Sequence, residues 1–327
     1  MQRVHRTRGH RVSLAMLLVA LSATILAACG SSSSPGAASL LQQTFAGNHK
    51  VSSGNVELSM TIGPSGTTSA GGPISLSFGG PFQSTGSGKV PRSDFTVTIS
   101  ALGQTGSLGI ISTGTAGYVT LQGTSYRLPQ ATFQKLESSF AQITSSSGSG
   151  AGSGTLAQLG IQPLDWLTTP IVVGTENVGG AETTHIRAGI NVPAFLNDLD
   201  TFLRKASTIG VSGASQLSGG ISATTRTRIA REVQDATFDV WTGAGDKTLR
   251  KMSIGLLLPV TGQVSSELGG VRSAAIALTL QYANLNQPQT ITAPTTVRPF
   301  SEFTNRLGSF VQALTGSSGG ASSAGSG

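Results

Sequence analysis

Apolar and polar residues alternate with period two along most of the chain, and the alternating runs are bounded by glycine. In residues 56–62, Val56, Leu58, Met60 and Ile62 fall on one face, with Glu57, Ser59 and Thr61 on the other. Residues 74–78 repeat the pattern with Leu76 on the apolar side, and residues 95–99 with Val97. Such alternation, with serine and threonine opposite the apolar residues, predicts antiparallel strands with one buried face and one wet face. Residues 106–112 continue the meander, and residues 117–128 read as two short strands around Gln122-Gly123.

The period then changes. After Pro129, Phe133, Leu136, Glu137 and Phe140 recur at helical spacing, and a short helical turn is expected around residues 164–167. Two strands joined at Gly179-Gly180 precede an amphipathic helix over residues 192–207, with Phe195, Leu196, Leu199, Phe202 and Leu203 on one stripe. A basic, helix-like segment holding Arg226, Arg228 and Arg231 follows. Three more strands carry Ile254 and Leu256, then Ile276, Leu278, Leu280 and Tyr282, before a final helix with Phe300, Phe303, Leu307 and Phe310 inward. The expected fold class is therefore α+β: a large curved antiparallel sheet of about ten strands, a half-barrel, with about four helices packed on its concave face.

The first 36 residues behave differently. Arg3, Arg6, Arg8 and Arg11 precede an apolar run from Leu14 to Ala28, and a small, polar stretch follows it. A basic flank, a short apolar core and small residues at its end predict a secretory signal peptide. The run is short of the ~20 residues a permanent spanning helix needs. Leu26-Ala27-Ala28-Cys29 resembles the lipobox of bacterial lipoproteins, and Cys29 is the chain's one cysteine. That resemblance implies cleavage between Ala28 and Cys29 and acylation of the Cys29 thiol, which anchors the protein at the outer face of the cytoplasmic membrane. The expected organisation is a signal peptide over 1–28, the acylated cysteine and a flexible tether over 29–36, one domain over 37–314 and a Gly/Ser tail over 315–327. Gly/Ser-rich insertions lie near 145–155 and 207–222.

Removing residues 1–28 takes four of the 21 basic residues and none of the 14 acids, which lowers the net charge from +7 to +3. Tyrosine and tryptophan number only three and two, so no aromatic-basic surface for nucleic acid is expected. The Arg226–Arg231 cluster reads as a solvated face, with anionic headgroups as the alternative partner. With its only thiol assigned to the anchor, the domain is expected to hold without disulfides.

Catalytic and metal-binding patterns are not found. His49 and His185 have no second histidine or carboxylate at ligand spacing. Residues 86–90 have a phosphate-loop flavour, but position 83 is Gln where glycine is required. Asp198 and Asp200 stand two apart on a helix and do not face each other. His185 opposes Ile186 in its strand and is expected to face solvent or accept a hydrogen-bond partner, while Trp166 and Trp241 read as core anchors. The protein is read as a non-enzyme with no cofactor and no metal.

The order of these segments resembles the LolA/LppX/LprG-like lipoproteins of bacterial envelopes. The resemblance is carried by the lipobox, the "SLLQQTF" helix and the strand phrase Val173, Gly174, Glu176, Val178, Gly180. Thr184, Ile186, Gly189 and Val192 continue it, and Asp239, Val240 and Trp241 with the turn over residues 245–251 complete it. It implies a curved sheet wrapped over helices, enclosing a hydrophobic cavity for acyl chains, in proteins that carry lipids or lipoproteins between membranes. Candidate cavity residues are Leu58, Met60, Leu76 and Val97 on the early strands, Phe133, Phe195, Leu199 and Phe202 on helices, and Ile254, Leu256, Leu278 and Leu280 on the late strands. Gly109, Gly255, Ala275 and Ala277 are expected to leave room inside it. Two functions stay open: a carrier or chaperone that binds the acyl chains of a lipid or lipidated partner, and an anchored envelope module with a filled core that binds a protein.

Overall fold

The computed structural model describes residues 36–47, 49–66, 72–101, 103–145, 160–208, 220–262, 265 and 270–315. Cys29 and its lipobox, the stretch 146–159 and most of 207–222 lie outside them. The compact unit considered below begins at Ala37.

Its framework is a single twelve-stranded sheet. The first half is a meander of β1 (Ser53–Ser65), β2 (Ile74–Gln83), β3 (Arg92–Ala101), β4 (Gln104–Ser112), β5 (Gly117–Leu121) and β6 (Thr124–Arg127). The second half comprises β7 (Leu167–Val178), β8 (Ala181–Ile190), β9 (Gln234–Gly243), β10 (Leu249–Pro259) and β11 (Ser273–Ala283). A two-residue strand β12 (Arg298–Pro299) is the one addition that periodicity did not predict, because two residues carry no period. The spatial order is β12-β6-β5-β4-β3-β2-β1-β11-β10-β9-β8-β7, antiparallel throughout except for β12, which runs parallel to β6. The sheet does not close: β12 and β7 are its two edges.

Turn chemistry sets the hairpins. Gln122 and Gly123 have φ of 50° and 76°, and Gly179 and Gly180 have φ of 61° and 82°. Two consecutive left-handed residues make the tight hairpin turn whose twist matches the strands. At Gly179 a side chain would also strike the Tyr282 carbonyl, and Asn284 donates its backbone N–H back to Gly179. The two meanders meet at β1 and β11, paired over eleven positions from Asn55↔Ala283 to Ser65↔Ser273.

Six helices are described: α1 (Ala37–Ala46), α2 (Gln130–Ser145), α3 (Pro163–Trp166), α4 (Val192–Thr208), α5 (Ala223–Glu232) and α6 (Phe300–Thr315). Two separate cores result. In the first, Leu40, Leu41 and Phe45 of α1 pack with Trp166 against Ile186, Phe238, Val240 and Ile254 of β8–β10. In the second, Phe303 of α6, flanked by Phe300, Leu307 and Phe310, covers Val119, Leu121 and Tyr126 of β5 and β6. Each fully buried apolar side chain of this size contributes about 1.5–3 kcal/mol, so the two ends of the sheet are independently secured.

α5 has no buried residue and is held by charge. Asp200, buried on α4, receives Arg204 Nε at 3.1 Å, lies 3.0 Å from Arg226 of α5 and accepts the Ile221 backbone N–H at 2.6 Å. The Arg204 hydrogen bond, aided by the Ile221 amide and both guanidinium charges, holds the Asp200 carboxyl below its ordinary 3.8 despite burial, which acts the other way. A depressed carboxylate stabilises fully above its unfolded value and loses that contribution as pH falls through the folded one. Thermal melting followed downward from neutral pH is therefore expected to show an acid-side loss of stability, beginning near the unfolded value. Asp200→Asn flattens that part of the curve and lowers the neutral plateau. An unchanged acid limb in the variant would show that Asp200 does not tie α4 to α5.

Candidate functional site: an apolar face buried at both ends

Cross-strand register places apolar residues of nine strands in one continuous row. It runs Ile186, Val240, Met252, Leu280, Leu58, Phe78, Val97, Leu108, Leu121, each paired with the next across adjacent strands. A second row beside it runs Ala188, Phe238, Ile254, Leu278, Met60, Leu76, Ile99. A third, shorter row joins Leu256, Ile276, Ile62 and Ile74. Because side chains alternate across a strand, these rows share one face of the sheet. It is the face on which α1 and α6 pack.

Burial along the rows is graded. At one end Ile186 and Val240 are 1% exposed, and at the other Leu121 is 1% exposed. Between them Leu280, Leu58, Met60, Phe78, Leu76, Val97 and Leu108 are only half-buried, and Ile99 and Ile74 reach 43% and 44% exposure. Phe78 and Phe95 meet here with ring centroids 4.8 Å apart. The middle of the apolar face, on β11, β1, β2, β3 and β4, stands outside the fully buried clusters, with Leu278 packed against the margin of the first and Leu108 against that of the second.

The candidate residues separate accordingly. Leu58, Met60, Leu76, Val97, Leu278 and Leu280 come together on the half-buried middle, with Leu256 on the adjoining row. Ile254 shares the second row but sits at 2% exposure within the first core. Phe195 packs edge-on against Trp166 at 5.1 Å beside the same core. Leu199 and Phe202 lie half-buried on α4, and Phe133 is buried over Gly117 and Leu128 at the start of β5. Phe78 and Leu108 join the middle as additional residues. Phe78 was legible in the alternation of residues 74–78, whereas the position of Leu108 opposite Val97 needed the register.

The small residues expected to leave internal space do not. Gly255 pairs with Ala277 and Gly109 with Thr96, and Ala275 stands opposite Gly63. All four alternate out of phase with the apolar rows and therefore belong to the polar face. That face carries two open hollows of about 310 and 330 Å3, lined mainly by hydroxyl, carboxylate, amide and glycine groups such as Asp94, Thr96, Thr120, Glu57, Thr98 and Gln281. Neither has the lining an acyl chain requires.

Trp166 is a core anchor whose Nε1–H donates to Asp198 Oδ2 at 2.9 Å, and the same oxygen accepts the Gln162 amide at 2.6 Å. Trp241 is instead buried on the polar face. His185 stacks on it at 4.3 Å and 12°, Lys251 Nζ lies 4.4 Å from the ring centroid, and its Nε1–H donates to Glu176. His185 Nε2 is 2.7 Å from Asp239 Oδ1, which also accepts from Arg187 Nε at 2.8 Å. The histidine is thus hydrogen-bonded within a charged lattice spanning β7–β10. Among the described residues no three His, Cys, Asp or Glu side chains gather as a metal site, and no described helix is long and apolar enough to cross a membrane.

No family model matches the sequence, and no curated protein matches it. Solved structures do show similarity. LprF from Mycobacterium bovis is 12% identical, with 80% of this chain and 99% of that chain covered and a TM-score of 0.39. The Mycobacterium tuberculosis lipoprotein LppX is 13% identical over 78% and 97% of the two chains, with a TM-score of 0.34. A LolA superfamily protein from Nitrosomonas europaea is 10% identical over 79% and 96%, with a TM-score of 0.19.

Proposed function

We propose that this chain is an extracytoplasmic lipoprotein, anchored through acylated Cys29, that takes up acyl chains of a lipid or lipidated partner along the middle of its apolar face, as a carrier or chaperone. The observation that supports this is the burial gradient. A continuous apolar row is sealed at both ends by helix-covered cores and left half-open across five central strands. Five strands spaced ~4.8 Å apart make a strip about 19 Å wide, suited to an extended long acyl chain. Burying ten methylenes there at ~0.8 kcal/mol each gives ~8 kcal/mol, corresponding to a Kd of about 1 μM before ordering costs. No chemical step is assigned to the protein.

Native mass spectrometry with solvent extraction tests the reading on full-length protein solubilised from its own membranes. Lipid bound non-covalently, in addition to the anchor at Cys29, is the expected result. A mass equal to chain plus anchor, with nothing extractable, would overturn it and leave the anchored protein-binding module in its place.

A further inference from the structure

Among the described residues, two buried side chains keep a polar atom without a hydrogen-bond partner: Arg250 Nε and Tyr126 Oη. The Arg250 guanidinium is still fixed through Nη2, which donates to Asp246 Oδ2 at 2.6 Å. Tyr126 has no such second contact, because the hydroxyl is the one polar group of its side chain. Tyr126 is 0% exposed. Its neighbours in the second core are Val119, Leu121 and Phe303, whose ring centroid lies 5.6 Å from its own. A buried tyrosine hydroxyl ordinarily finds a partner, and leaving one unpaired opposes folding. Phenylalanine would fill this place without that penalty, so packing does not account for the hydroxyl.

Tyr126 stands at the end of a row that leads to the half-buried middle of the apolar face. It pairs with Val119, Val119 with Ile110, and Ile110 with Phe95, whose ring meets Phe78. Three strand steps of ~4.8 Å make this row about 14 Å long. Val119 is buried, whereas Ile110 and Phe95 are half-buried. Over the Tyr126 end, α6 buries Phe303 but leaves Phe300, Leu307 and Phe310 only partly buried. An acyl chain on the middle strands that turns along this row brings its polar end beneath α6, towards Tyr126.

We infer that Tyr126 is a specificity-determining residue whose hydroxyl donates to the carbonyl oxygen of an ester-linked acyl chain, so that a neutral lipid ester is preferred to a free fatty acid. The inference rests on acyl uptake by the middle of the face. The apolar surroundings of Tyr126 identify the acceptor. A carboxylate there would be desolvated with a single donor facing it, and an alcohol or amide would add a hydrogen of its own with no acceptor. An ester carbonyl brings an acceptor oxygen, no charge and no donor. A free fatty acid binds by its chain alone, with its carboxylate left in water.

The test compares methyl palmitate, labelled with carbon-13 at its carbonyl, and palmitate on purified full-length protein and on its Tyr126→Phe variant. Wild type is expected to bind the ester about tenfold more tightly than the acid, and the variant to lose that preference with the hydrogen bond. The infrared carbonyl band of the bound ester is expected at lower wavenumber in wild type than in the variant. The ligand-free variant is expected to melt no lower than wild type. Equal ester-to-acid ratios in the two proteins, or an unshifted carbonyl band, overturn the inference. A variant that melts lower also overturns it, because the hydroxyl would then have a partner without ligand. In each of these cases saturable palmitate binding leaves the acyl-uptake reading standing. Saturable binding of neither ligand to wild type overturns both.

Discussion

Leu58→Asp is expected to remove acyl-chain binding while the protein still folds. Leu58 stands midway along the nine-strand row, between Leu280 and Phe78, and is half-buried, not enclosed. In the unliganded protein a carboxylate there retains water, so the stability cost is modest. With an acyl chain laid across it, the same carboxylate must be desolvated without a partner, which costs several kcal/mol. A penalty of about 3 kcal/mol already weakens binding roughly a hundredfold. Ile254→Ala provides the opposite pattern. At 2% exposure in the first core it loses about 2–5 kcal/mol of stability, with binding reduced only as far as the fold is. Titration with a fluorescent fatty acid, beside thermal melting, separates the two. Wild-type affinity in Leu58→Asp would show that acyl chains do not use the middle of the face.

Cys29→Ala is expected to abolish membrane retention without changing the melting temperature. The residue precedes the compact unit that begins at Ala37, so the substitution leaves every residue of that unit unchanged. A diacylglyceryl group on the thiol would bring two acyl chains and with them the stable attachment that one chain does not give, at ~0.8 kcal/mol per buried methylene. Cell fractionation with acyl labelling reads both consequences: the label disappears, and the chain leaves the membrane fraction. A variant that stayed with the membrane would refute the anchor.

Local alternation made nearly every strand legible, because in a half-wet sheet most apolar positions alternate with polar residues or glycine. The Gln122-Gly123 and Gly179-Gly180 hairpins were readable for the same local reason, since two left-handed residues in succession announce themselves by type. What period alone cannot supply is register across distant strands. The pairing of β1 with β11 joins residues more than two hundred positions apart, and only that pairing brings Leu58 beside Leu280 and Met60 beside Leu278. The phase of the small residues shows the same limit. Gly255 and Ala277 looked like internal space because they sit among leucines and isoleucines, yet each lies one residue out of phase with the apolar rows. Trp241 was misplaced by the same reasoning: apolar neighbours suggested the core, but its phase puts it on the opposite face, where His185 and Lys251 bury it. β12, with two residues, had no pattern to read.

The most direct test of acyl binding to the half-open middle is a photoreactive long-chain fatty acid cross-linked to the purified full-length protein, with the adducts mapped by peptide mass spectrometry. Saturable labelling at Leu58, Met60, Leu76, Phe78, Val97 or Leu280, competed away by unlabelled fatty acid, is the result the burial gradient predicts. Labelling that is absent, unsaturable, or confined to the polar face around Thr96 and Glu57 would contradict it.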